Sequence, residues 1–213
     1  RVHDPLVAGQ GHWFNHLLLS PDDGRFIFLH RYWRRVGGPE RLTRMLTADA
    51  GGGSIRLVNP EPMTSHFDWY DDRRIVAWAS YRGEDGYWLV DEGTGEATAV
   101  GRGVFGTDGH CGFSPDRRWM LTDSYPDPVD SKRMLMAYGW PEGPRVDLGR
   151  FFSPSPSGEP MRCDLHPRWR PDGGAICFDS MHEGVRRMYV LECGGISGSR
   201  GGLGRSVTGG GQA

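Results

Sequence analysis

His166-Pro167-Arg168-Trp169-Arg170-Pro171-Asp172-Gly173, followed by the apolar run Ala175-Ile176-Cys177-Phe178, is the stretch that decides the fold. A Pro-Asp-Gly cluster between two runs of large apolar residues reads as strand, tight turn, strand. The same pattern occurs three more times: His16-Leu17-Leu18-Leu19-Ser20-Pro21-Asp22, His66-Phe67-Asp68-Trp69-Tyr70-Asp71-Asp72 and His110-Cys111-Gly112-Phe113-Ser114-Pro115-Asp116. Each copy is a histidine, two variable residues, a large apolar residue, one more residue, then Pro-Asp or Asp-Asp. From His16 to His66, His110 and His166 the steps are 50, 44 and 56 residues. A repeat of roughly 40–50 residues with strand-and-turn content is the signature of β-propeller blades.

Each repeat divides into further strands. The first predicts Leu17–Ser20, Arg25–His30, Arg41–Thr47 and Ser54–Val58. The second adds Arg74–Ala79, Tyr87–Val90 and Glu96–Val100; the third, Trp119–Asp123, Arg133–Tyr138 and Arg145–Leu148; the fourth, Ala175–Asp179 and Arg186–Leu191. The expected fold is all-β: about four blades of antiparallel four-stranded sheets, the C-terminal part of a larger closed propeller, over residues 1–192. After Glu192 the chain turns into Gly, Ser and Arg without apolar period, so residues 193–213 are expected as a Gly-rich disordered tail and the last blade as one strand short.

Composition narrows the function classes. The 213 residues carry 25 basic and 27 acidic side chains, a formal charge of -2, with no clustered basic excess of the kind nucleic acid demands. No stretch approaches the roughly 20 apolar residues of a membrane-crossing helix. Four cysteines without a CxxC spacing suit a reducing, cytoplasmic setting. No Gly-x-Ser-x-Gly elbow surrounds Ser20 or Ser114, which read as turn residues, and no phosphate-binding glycine loop occurs. Oligomeric state is not legible.

The recurrent histidines carry the chemistry. In a propeller the first strand of each blade lines the central channel, so His16, His66, His110 and His166 should approach one mouth of it. There they could bind metal or act as acid and base, or they could simply hydrogen-bond the neighbouring blade. His30 ends an apolar strand beside Arg31, Tyr32, Trp33 and Arg34, a setting suited to an anionic, ring-shaped ligand.

The Pro-Asp repeats resemble those of TolB-like propellers, a likeness of fold rather than activity. A narrower resemblance is to the oligogalacturonate lyase family of seven-bladed propellers, pectin-degrading carbon–oxygen lyases. It rests on Phe28-Leu29-His30, Ser65-His66-Phe67-Asp68-Trp69, Asp108-Gly109-His110 and Cys163-Asp164-Leu165-His166-Pro167. It implies β-elimination on an acidic, uronate-containing oligosaccharide with a divalent metal. By motif His30 falls at the base, His66 at another site histidine, and His110 and His166 at metal positions. Cys163 stands where the family has a glutamine, and Arg168 where a further histidine is expected. Arg34 or Arg44 would fork onto the substrate carboxylate, and Trp33 and Arg168 would touch substrate. His110 and His166 with Cys163 or Asp164 could hold Mn or Zn, a Cys ligand favouring Zn. The competing reading is a non-enzymatic TolB-like scaffold that binds proteins.

Overall fold

The protein is described by a computed structural model covering residues 11–33, 41–153, 162–193 and 207–208. Two compact units divide the chain, Arg1–Arg102 and Gly103–Ala213. Unit 1 holds β1 (His12–Leu19), β2 (Arg25–Trp33), β3 (Arg41–Asp49) and β4 (Arg56–Leu57), then β5 (Thr64–Trp69), β6 (Arg74–Tyr81), β7 (Glu84–Asp91) and β8 (Ala97–Val100). Unit 2 holds β9 (Cys111–Phe113), β10 (Trp119–Asp123), β11 (Lys132–Gly139) and β12 (Arg145–Phe152), then β13 (Arg168–Trp169), β14 (Ala175–Ser180), β15 (Arg187–Glu192) and β16 (Val207–Thr208). Each group of four is one antiparallel sheet whose strands neighbour one another in chain order. This is the blade of a β-propeller, four times over, and no helix occurs among the described residues.

Most strands run a few residues past or short of the expected bounds, and two differences have a structural cause. β1 starts at His12 rather than Leu17, because a bulge between Asn15 and Leu18 splits one long strand into two paired segments. The fourth sheet is not a strand short: Val207–Thr208 pairs with Val190 and Leu191 of β15. Glycine and serine gave that segment no apolar period to read. The rest of the expected tail, residues 194–206 and 209–213, lies outside the described residues.

The Pro-Asp signal is a turn held by its own side chains. Ser20 Oγ donates to Asp22 (2.6 Å) and accepts from the Arg25 N–H (3.0 Å). Ser114 repeats both bonds, to Asp116 (2.6 Å) and from Trp119 (3.0 Å). The residue after the Asp is left-handed in three repeats: Asp23 (φ 58°), Arg117 (φ 58°) and Gly173 (φ 74°). Asp and Ser suit these places because short side chains reach the turn's free N–H groups.

Within each unit the two blades share a core. In unit 1, Ile27, Leu29 and Met45 of the first sheet pack with Trp69, Ile75 and Val90 of the second. Trp69 also donates from Nε1 to the Leu18 carbonyl (3.2 Å). In unit 2, Leu121 and Leu135 meet Ile176, Phe178 and Leu191. A buried charge cluster adds to unit 1: Glu92 accepts from Thr47 Oγ1 (2.9 Å) and Arg56 Nη1 (2.7 Å), with Arg25 Nε at 3.0 Å.

Glu92 is 7% exposed and Arg25 is largely buried beside it, while Arg56 reaches solvent, so removing Glu92 leaves mainly Arg25 without its counter-charge. Glu92→Ala should therefore lower unfolding free energy by about 1–3 kcal/mol, read from urea unfolding. A change within about 0.5 kcal/mol would mean the cluster is only surface decoration.

The turn aspartates set the acid response. Asp22 is held below the ordinary carboxylate value by the Ser20 hydroxyl and the Gly24 N–H, Asp172 by Arg170 and the Gly174 N–H, and Asp49 by the Gly53 N–H and Ser54. As pH falls, the unfolded chain binds these protons first. The stability they contribute is present above about pH 4 and is lost as pH falls through the lower folded values. Urea midpoints should drop between about pH 5 and pH 3, and converting the three residues to Asn should flatten that drop.

Candidate functional site

In unit 2 two of the repeat histidines meet. The rings of His110 and His166 lie 3.8 Å apart, centroid to centroid, tilted by 44°. Asp164 completes a group of three whose donor atoms all lie within 4.8 Å of one another. Ligands about 2.1 Å from a shared ion stand roughly 3–4 Å apart, so a small side-chain movement would close this set on a metal.

Each histidine reaches this place by leaving its ladder. His110 immediately precedes β9, and His166 lies just before β13 in the left-handed region (φ 43°). Histidine tolerates that conformation better than most side chains. Gly109 is required beside it, because a Cβ there would lie 1.9 Å from the Asp123 carbonyl oxygen.

Hydrogen bonds fix how both rings face. Asp123 accepts from His110 Nδ1 (3.0 Å to Oδ2, 3.1 Å to Oδ1). The Asp164 carbonyl lies 3.3 Å from His166 Nδ1 and can only accept. A neutral imidazole with its proton on Nδ1 carries its lone pair on Nε2, so Nε2 is the basic nitrogen of each ring. Protein bulk around His166 pushes its pKa down, and His110 beside it adds to this, so the ring is neutral near pH 7 although solvent reaches it.

Asp164 is kept anionic. Burial alone would raise its pKa, but the Arg162 hydrogen bond and the Arg133 charge outweigh burial and hold it below the usual range. Arg133 Nη2 lies 2.6 Å from Asp164 and Arg162 Nε 2.9 Å. Arg133 is 1% exposed and spends its other donors on the carbonyls of Ser153 (3.3 Å) and Ser124 (3.2 Å). Tyr125 lies against both arginines, at 5.7 and 5.6 Å. Nearby, an open pocket of about 540 Å³ is lined by Phe105, Tyr125, Met134, Lys132, Arg145 and Arg150. Its cations face Asp127, Asp130 and Asp147, so their charge is balanced locally.

The remaining expected residues fall elsewhere. Cys163 is fully buried, its thiol is pushed up by burial, and its carbonyl accepts from Ser153 Oγ. It is not a member of the three-donor group; of the two ligands open to the sequence, the structure brings in Asp164. Arg168 is exposed on β13. In unit 1, His30 is 3% exposed, with Phe14 stacked on it at 4.7 Å. Arg44 Nη2 lies 2.9 Å from His30 Nδ1, and His12 Nδ1 lies 3.0 Å from His30 Nε2. A guanidinium only donates, so a neutral His30 carries its proton on Nε2 and passes it toward His12. The His30 lone pair thus faces a cation. Arg44 also lies 5.5 Å from the Tyr32 ring. Trp33 is half-buried near Trp13, at 5.9 Å. His66 sits in the β5 bulge with Nδ1 3.2 Å from Ser65 Oγ, and His16, in the β1 bulge, is exposed (φ 57°). Arg34 lies outside the described residues.

Asp123 and Arg133 were missed from sequence. One signal existed: two apolar second strands end in Asp, Trp119–Asp123 and Ala175–Asp179.

Comparison with known proteins supports the fold. No family model matches the chain, and no curated protein matches it. Among solved structures it is similar to an oligogalacturonate lyase from Vibrio parahaemolyticus, with TM-score 0.64 and 17% identity over 86% of this chain and 50% of that one. TolB from Acinetobacter baumannii aligns with TM-score 0.60 and 14% identity, over 84% of this chain and 41% of that one. A puromycin-hydrolyzing peptidase from Mycobacterium tuberculosis gives TM-score 0.54 and 14% identity, over 91% of this chain and 29% of that one. The chain thus spans half or less of the length of these relatives. At such identities the likeness is one of β-propeller fold, and it is shared by proteins with different printed activities.

Gly109→Ala tests the placement. The added methyl meets backbone rather than a flexible side chain, so His110 or Asp123 must move. Stability should fall by about 1–3 kcal/mol, with weakened Zn or Mn uptake by calorimetric titration. Unchanged stability and uptake would contradict the close approach of Gly109 and Asp123.

Proposed function

We propose that unit 2 carries a divalent-metal centre formed by His110, His166 and Asp164, in a protein that cleaves uronate-containing oligosaccharides by β-elimination. The observation that carries this reading is the gathering of two histidines and one anionic carboxylate with donor atoms within 4.8 Å of one another, each histidine holding an acceptor at Nδ1. The donor set fits a metal: two imidazoles and one carboxylate suit Mn or Zn, and without a thiolate the tilt toward Zn is gone. When bound, the metal would neutralise a sugar carboxylate and make the neighbouring C–H more acidic.

Elimination breaks the C5–H and C4–O bonds of the uronate and forms the C4=C5 double bond; the C5 proton goes to a base, and the departing oxygen takes a proton from water. The resemblance names His30 as base. Its lone pair must first be released by Arg44, and the group best able to draw a guanidinium away is a carboxylate.

The scaffold reading has its own support. The ion pairs from Arg133 and Arg162 satisfy Asp164 without metal and would then serve structure alone.

Two measurements separate these readings: metal content of the purified protein, and ultraviolet absorbance of the unsaturated product from oligogalacturonides and other uronate oligomers, with and without Mn or Zn. His30→Ala should lower the elimination rate about a hundredfold or more, while His110→Ala should be partly restored by added metal. No metal uptake and no unsaturated product with any oligomer would favour the scaffold.

A further inference from the structure

Asp123 ends β10 with 1% exposure, and every hydrogen bond at its carboxylate comes from the two histidine positions. Oδ1 accepts from the His110 backbone N–H (2.6 Å), and the His110 ring Nδ1 lies 3.0–3.1 Å from the two oxygens. Oδ2 accepts from the backbone N–H of His166, 43 residues further on (3.2 Å). Asp123 returns its own N–H to the His110 carbonyl (3.3 Å).

We infer that Asp123 is the positioning residue of this centre: it fixes the His110 ring with its proton on Nδ1, which makes Nε2 the basic nitrogen, and it seats His166 by its backbone. The inference deepens the metal-centre reading and rests on it for its functional consequence, though not for the histidine geometry itself. An imidazole in water prefers its proton on Nε2, the atom a metal would need. A buried carboxylate at Nδ1 reverses that preference and raises the basicity of the ligating nitrogen. The same carboxylate holds both ligands because His110 and His166 leave their ladders with backbone N–H groups to satisfy. Asp123→Asn replaces one oxygen by a donor. Whichever way the amide turns, an NH₂ then faces a backbone N–H, of His110 or of His166.

The test needs no activity. Long-range ¹⁵N–¹H correlation spectra of the metal-free wild-type protein should show His110 protonated on Nδ1. In Asp123→Asn the His110 signal should move toward the Nε2-protonated form, and Zn and Mn affinity by titration should fall about 10- to 100-fold. Asp123→Glu, which keeps two acceptor oxygens, should recover part of both. A wild-type His110 protonated on Nε2 would overturn the inference, and that measurement stands even if the variants do not fold. So would an Asp123→Asn variant with His110 tautomer and metal affinity unchanged. If the tautomer shifts in the variant but the wild-type protein takes up no metal, the hold on His110 is upheld and the metal-centre reading fails.

Discussion

The constraint on which the site depends is the break in the innermost strand of each repeat. A strand that stays in its ladder aims side chains alternately at the two sheet faces and spends every amide on its neighbour. At the repeat histidine this stops. His16 and His66 fall inside bulges of β1 and β5, and His166 turns left-handed just before β13. His110 stands one residue before β9 begins. A break turns the side chain off the sheet, but it also withdraws backbone groups from the ladder, and buried ones must find partners elsewhere.

Unit 2 answers that demand with one carboxylate. Asp123 takes the amides of His110 and His166 and the Nδ1 of His110, so backbone satisfaction and ring orientation have the same cause. Gly109 allows the approach, and Arg133 supports the far side by holding Asp164 from a fully buried position. In unit 1 the equivalent breaks have different neighbours. His66 faces the hydroxyl of Ser65, and His30, on β2, is tied between Arg44 and His12. Histidines equal in the repeat are therefore unequal in chemistry: Nδ1 meets a carboxylate at His110, a backbone carbonyl at His166 and a hydroxyl at His66.

This explains what the sequence could and could not disclose. The blades were legible because turn chemistry is local: Ser20, Asp22, Ser114 and Asp116 bond within five residues of themselves. The repeat position grouped all four histidines alike, and only the family resemblance singled out His110 and His166. Asp123 was not, since its partners lie 13 and 43 residues away and its own strand reads only as an apolar run. Choosing between Cys163 and Asp164 was also out of reach: adjacent residues in irregular backbone have no period to say which one faces the histidines. β16 was invisible because two residues, Val207 and Thr208, carry too little pattern to stand out from glycine and serine.

The fold itself is neutral toward activity. Structures described as a TolB, a lyase and a peptidase align with it comparably. What discriminates is the number and type of donors. A closed four-donor metal site serves structure, whereas a site with three protein donors keeps a position open for an outside ligand. The oligogalacturonate lyase resemblance would place donors at 163 and 168, and here those places hold a buried thiol and an exposed arginine. Asp164 enters instead, beside the two histidines, and the count among the described residues stands at three. Arg162 and Tyr125 stand beside this set, the arginine paired with Asp164 and 5.6 Å from the tyrosine ring. On the metal-centre reading proposed above, three protein donors would leave a coordination position open, so the changes at 163 and 168 do not by themselves argue against that reading.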